Sequence, residues 1–128
     1  MITRDDVQDF LDRTGHPVES VADDIWLLRT PEGAELAINH APPVLVLRVR
    51  VMQVPADASA AASLFRTLLE INARDLVHGS YGLEGDHVVL TDTLELGHLD
   101  YSEFESSVDS LLLALASHRG QLVQAGEG

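Results

Sequence analysis

The pattern that most limits how this chain folds lies between Ala61 and Leu115, where hydrophobic spacing switches from helical to strand-like and back. Ala61, Leu64, Phe65, Leu68, Leu69, Asn72 and Leu76 recur at steps of three and four, the repeat of an amphipathic helix. Leu64, Leu68 and Ile71 widen its apolar arc, so this helix is expected to be covered on more than one side. Asn72, near its end on the inward arc, suits an anchor for a main-chain group better than it suits chemistry. Two short strands follow, residues 80–85 (SYGLEG) and 87–96, with a turn at Gly85-Asp86. Asp100 and Glu103 then open a second long helix carrying Tyr101, Phe104, Val108, Leu111, Leu112 and Leu115, with His118, Arg119 and Gly120 suited to its end.

The residues before this unit supply one helix and more sheet. Thr3 caps a first helix with Asp5 and Asp6 in its first turn, and Val7, Phe10 and Leu11 form its apolar stripe before Gly15 and Pro17 end it. Residues 18–29 read as one strand, strongest over IWLLR and apolar on both faces. Thr-Pro-Glu-Gly at 30–33 marks a turn, and a second strand runs over 35–40. After Ala41-Pro42-Pro43 the alternation is clearest, over 44–54. Leu45, Leu47, Val49 and Val51 form a core face there; Val44, Val46, Arg48, Arg50 and Met52 share the other. The mixed face reads either as a half-exposed surface covered by arginine stems or as a binding surface. Asp57 or Ser59 caps the next helix. Asp92 falls in phase with Val88, Leu90 and Leu94, so either a bulge around Thr91–Thr93 turns it away or Asp92 sits where the sheet has run off the core. The expected fold is α+β, two layers, with three helices on a mostly antiparallel five-stranded sheet in the order α-β-β-β-α-β-β-α. Residues 1–120 are expected to form a single domain and 121–128 a disordered tail.

Composition narrows the chemistry. The chain of 128 residues has no cysteine and no lysine, which removes thiolate, Schiff-base and phosphate-loop lysine chemistry. The net charge of −13 repels phosphate backbones and anionic bilayers, so neither nucleic acid nor membrane is expected as a partner. No apolar run reaches the roughly 18–20 residues of a membrane helix, because VLVLRVRVMQV is broken by arginines. The N-terminus MITRDDVQDF lacks an apolar signal core, and a cytoplasmic location is expected. His16, His40, His78, His87, His98 and His118 show no metal-ligand spacing, and His78-Gly79-Ser80-Tyr81-Gly82 lacks the Gly-x-Ser-x-Gly frame of a serine nucleophile. No catalytic residue, metal or cofactor is expected.

Leu68-Leu69-Glu70-Ile71-Asn72, then Gly79-Ser80-Tyr81-Gly82-Leu83, Val88-Val89-Leu90, Leu94-Glu95-Leu96 and Leu99-Asp100 together resemble the YbjN family and its relatives, the class I type III secretion chaperones of the Tir-chaperone group. The resemblance is best over residues 61–115 and agrees elsewhere in element order. It implies a non-enzymatic homodimer that holds an extended segment of a client protein through apolar patches and a sheet edge. Candidates for the client surface are Val7, Phe10, Leu11, Trp26, Leu28, Val44, Val46 and Met52, each of which also suits ordinary core. Leu64, Leu68 and Ile71 are the candidates for a dimer interface. The alternative is a regulatory or adaptor domain that binds one folded protein.

Overall fold

A computed structural model describes residues 1–127. The elements are α1 (Arg4–Arg13), β1 (Val18–Ala22), β2 (Ile25–Arg29), β3 (Glu35–Ala41), β4 (Val44–Gln53), α2 (Ala58–Arg74), β5 (Ser80–Glu84), β6 (His87–Glu95) and α3 (Tyr101–Gly126), with a short 3-10 turn at Leu96–His98. All strands join one antiparallel sheet of six, in the order β1-β2-β3-β4-β6-β5. Six strands replace the expected five because residues 18–29 form a hairpin. The chain turns at Asp23-Asp24, and the VESVA half is nearly all solvent-facing, so its hydrophobic pattern is too weak to mark a separate strand.

Register builds the core. Trp26, Ile38 and Leu47 lie in one row across β2, β3 and β4, and Leu28, Leu36, Val49, Leu90 and Tyr81 lie in the next. Directly paired residues share a face, and this face is buried beneath Val7, Leu11, Leu64, Leu68, Ile71, Phe104, Val108 and Leu111 of the helices. All three helices therefore sit on one side. Burial of each large apolar side chain here contributes about 1.5–3 kcal/mol. The helix starts are set locally: Thr3 makes a reciprocal capping box with Asp6, Asp57 accepts from the Ala60 amide, and Asp100 accepts from the Glu103 amide.

Three expectations are corrected. The bulge lies in β4, between Arg50 and Met52, and not at Thr91–Thr93. Asp92 keeps its helix-facing phase opposite Leu47, and Ser107 on α3 donates to its carboxylate at 2.6 Å. A buried hydroxyl thus satisfies a carboxylate that the sheet was expected to expel. Helix α3 also continues past Gly120 to Gly126, so residues expected in a frayed tail are helical, and Leu122 is buried among the core residues. The inward positions Leu115, His118, Leu122 and Ala125 continue the helical spacing, which outweighs the single glycine. The last tail residue, 128, lies outside the described residues.

Gly79 shows how closely β5 is drawn under α3. Its φ is +75°, and a Cβ there would stand 2.5 Å from the Thr91 carbonyl oxygen and 2.9 Å from a Leu111 methyl. Gly79→Ala is expected to destabilise the fold by at least about 2 kcal/mol, combining left-handed strain with a backbone clash. Gly82→Ala, where a Cβ meets nothing within 4 Å, is expected to change stability by less than about 1 kcal/mol. Chemical denaturation of the two variants side by side measures the contrast.

Candidate protein-binding surfaces

An open sheet has two edges, and they are treated differently here. On β5 the Asn72 side chain reaches from α2 and takes the place of a neighbouring strand. The Tyr81 amide donates to Asn72 Oδ1 at 2.8 Å, and Asn72 Nδ2 donates to the Tyr81 carbonyl at 3.0 Å. Main-chain groups alternate in direction along a strand, so Leu83 is the other residue of β5 whose amide and carbonyl face outward. On β1 no side chain bonds the main chain of Val18 or Ser20 among the described hydrogen bonds, and the Ser20 hydroxyl donates to the Ala22 carbonyl at 3.3 Å. The Arg29 amide donates to the Pro17 carbonyl at 3.0 Å, which by the same alternation turns the main chain of Val18 and Ser20 away from β2.

Behind the Asn72 clamp the Tyr81 hydroxyl meets His118 Nδ1 on α3 at 3.0 Å. Burial pushes the Tyr81 phenol up to about 12. The clamp and this contact join α2, β5 and α3 through one residue.

The sheet face opposite the helices carries Ile25, Leu27, Ala37, Asn39, Val44 and Val46, all half-buried. Ion pairs border this apolar strip: Arg29 with Glu19 and Glu35 on one side, Arg48 with Glu84 on the other. A second apolar surface lies on the outer arc of α2, where Ala62, Phe65, Leu69 and Ala73 line a shallow groove with Arg66, Glu70 and Arg74. Leu69 is 68% exposed. A third hollow, about 700 Å³, lies between α3 and the β2–β3 turn and includes Pro31, Ala34, Leu112 and Ala116. Among the described residues, no group of three or more His, Asp or Glu is placed to hold a metal ion, and no helix is long and apolar enough to cross a membrane.

The candidate client residues divide between core and surface. Val7, Leu11, Trp26 and Leu28 have no exposed area, because α1 lies flat on β2 and closes over them. Phe10 is packed between Tyr101 and Phe104, with centroids at 5.8 and 5.7 Å. Met52 is turned to the helix side by the β4 bulge, opposite Val88, and packs on the core. Only Val44 and Val46 stay on the helix-free face. The dimer candidates Leu64, Leu68 and Ile71 are buried against the rest of the same chain. Periodicity found both arcs of α2 but cannot say which one the sheet covers. Leu69, already part of the helical repeat, is left outside, and Phe65 is half-buried at the margin of the core.

Two substitutions test the clamp. Asn72→Ala leaves the Tyr81 amide and carbonyl without partners and is expected to cost about 2 kcal/mol in a denaturation experiment. Tyr81→Phe tests the phenol. Its folded pKa of about 12 lies above the ordinary value of 10, so the neutral phenol stabilises the fold fully below pH 10, and that contribution is lost as the pH rises toward 12. The variant is expected to lose stability less steeply than the wild type across that window, read from denaturation midpoints at successive alkaline pH values.

Comparison with known proteins places this geometry. A chain in the heterodimeric ExoU–SpcU complex, from the type III secretion system of Pseudomonas aeruginosa, is 20% identical with a TM-score of 0.68, over 93% of this chain and 96% of that one. YbjN, a putative transcription regulator from E. coli, is 16% identical with a TM-score of 0.66, over 91% of each chain. A chain of the HopA1–SchA chaperone–effector complex is 14% identical with a TM-score of 0.64, over 88% of each. These likenesses show a shared fold. No curated protein sequence matches the chain. The family model CesT_Tir_1 matches residues 2–127, nearly the whole sequence, and the chain belongs to that family.

Proposed function

We propose that this protein is a dimeric, non-enzymatic chaperone that holds an extended segment of a client protein along its sheet. The observation that carries the reading is the unequal treatment of the two edges. Asn72 occupies the outward main-chain groups of Tyr81 on β5, whereas β1 turns the main chain of Val18 and Ser20 outward beside the apolar strip of the helix-free face. Strand addition at such an edge satisfies main-chain donors and acceptors whatever the client sequence, and the adjoining apolar strip takes alternate side chains. Membership of the CesT_Tir_1 family and the fold shared with a chaperone–effector complex support it.

The dimer uses the outer arc of α2. Along this stripe the side chains run small, large, large, small: Ala62, Phe65, Leu69, Ala73. Laid antiparallel, a second copy sets its Leu69 beside Phe65 and its Ala73 beside Ala62, the self-complementarity that a two-fold interface requires. The small residues at either end let the helix axes approach closely.

Two experiments test the reading. In sedimentation, the wild type is expected at twice its 13.9 kDa and Leu69→Asp at the single mass, with unchanged helical content. A wild-type protein that sediments as a monomer at micromolar concentration overturns the dimer. For the client site, the probe is reduced and alkylated lysozyme, which stays unfolded, beside native lysozyme. The unfolded form is expected to bind and to slow amide exchange over residues 18–22; binding of the native form alone would point to an adaptor for folded partners instead.

A further inference from the structure

The β1 edge has a wall, and the wall is acidic. Helix α1 lies over the β1–β2 hairpin: Trp26 Nε1 donates to Gln8 Oε1 at 2.9 Å, the Arg4 guanidinium stands 5.2 Å from the Trp26 ring centroid, and Arg4 Nε donates to the Asp23 carbonyl. The other flank of α1 meets α3, through Phe10 and through Arg13 stacked 3.8 Å from the Tyr101 ring. The Arg4–Gln8 flank therefore looks toward the sheet edge, and by helical spacing Asp5 and Asp12 extend it outward. Asp23 and Asp24 at the turn continue the same border, Glu19 lies on the opposite face beside Leu27, and Asp5, Asp12, Asp23 and Asp24 are all exposed.

The cations nearby are already engaged. Arg29 pairs with Glu19 at 2.7 Å and with Glu35 at 3.6 Å, and Arg4 pairs with Asp5 at 3.6 Å. Asp24 has His40 at 3.8 Å. Asp12 and Asp23 have no ion-pair partner among the described residues. On the helix-free face Ala22 pairs with Ile25 and Glu19 with Leu27, and Val21, in the irregularity between Ser20 and Ala22, is 48% exposed. The open main chain makes the site, and the charge decides its occupant.

We propose that the β1 edge takes an extended segment of a partner protein that alternates basic with apolar side chains. The inference rests on the chaperone reading above and adds the chemistry of the client. Alternate residues of a strand point to opposite faces. A segment paired with β1 turns Lys or Arg side chains toward Asp5 and Asp12 on α1 and small apolar side chains toward Ala22 and, beyond it, Ile25. An acidic segment in the same register would meet like charge along its whole length.

Short synthetic peptides separate the two parts of this idea. One alternates lysine with valine, a second glutamine with valine, and a third is the lysine peptide N-methylated at alternate residues so that it keeps its charge but loses main-chain donors. Binding is read by fluorescence anisotropy at low and at high salt. The lysine peptide is expected to bind about tenfold tighter than the glutamine peptide at low salt, a difference of about 1.4 kcal/mol. High salt or the Asp12→Asn/Asp23→Asn pair should erase most of that advantage without altering the fold, and N-methylation should abolish binding. Equal binding of the lysine and glutamine peptides, both lost on N-methylation, keeps the edge site and overturns the basic client. Binding of the lysine peptide that survives N-methylation overturns strand pairing and leaves only charge attraction. If no peptide binds, both the edge site and its client chemistry fail.

Discussion

The carboxamide of Asn72, bonded twice to the main chain of Tyr81, is the interaction on which the second half of the molecule depends. A strand at the end of a sheet leaves its outward amides and carbonyls unpaired, and beneath a helix those groups lose water as well. A carboxamide carries a donor and an acceptor side by side, so one Asn satisfies both groups of one residue. With Tyr81 fixed, its phenol reaches His118 on α3, and Gly79 passes close beneath Leu111. Two helices and the last hairpin are thereby set at a single distance from one another. The role of Gly79 follows: only a residue without a Cβ fits so near the Thr91 carbonyl.

Much of this was legible because it is local. Thr3, Asp57 and Asp100 cap helices through bonds to amides three residues on, and such bonds depend on no distant part of the chain. The alternation of Leu45, Leu47 and Val49 marks a strand wherever its partners lie, and the inward position of Asn72 on its helix already pointed to a main-chain anchor. The helix–hairpin–helix pattern carried enough of the fold to indicate the family to which the chain belongs.

What could not be read depends on which surface meets which. Helix α2 has two apolar arcs, and only the position of the sheet decides that Leu64, Leu68 and Ile71 face inward while Leu69 faces out. Trp26 lies on a strand that is apolar on both faces, and it is core because α1 closes over it. One inserted residue in β4 moves Met52 from the surface to the helix side, yet Arg50-Val51-Met52 shows nothing a sequence reader would recognise as a bulge. Asp92 makes the same point from the other direction. Its inward phase is tolerable only because Ser107, fifteen positions later, brings a hydroxyl to it. Edge strands are the hardest to see, since β1 buries so little that its sequence carries almost no alternation.

The placement of the proposed surfaces removes a conflict that a smaller sheet would face. Helix α2 and β5 lie at one end of the strand order and α1 and β1 at the other, with four strands' width of sheet between the two edges. A two-fold contact through the outer arc of α2, as proposed, would join the β5 ends, and each copy would keep its β1 edge facing away from the partner. Pairing of subunits and pairing with a client then draw on different unpaired groups. The charge supports the same division. Arg66 and Arg74 flank Glu70 on α2 in ion pairs along the helix, so the stripe proposed for the dimer is nearly balanced, while carboxylates dominate the border of β1. At a net charge of −13, two copies approaching by their β1 edges would repel, and the open strand is shielded from the self-pairing to which exposed edges are prone.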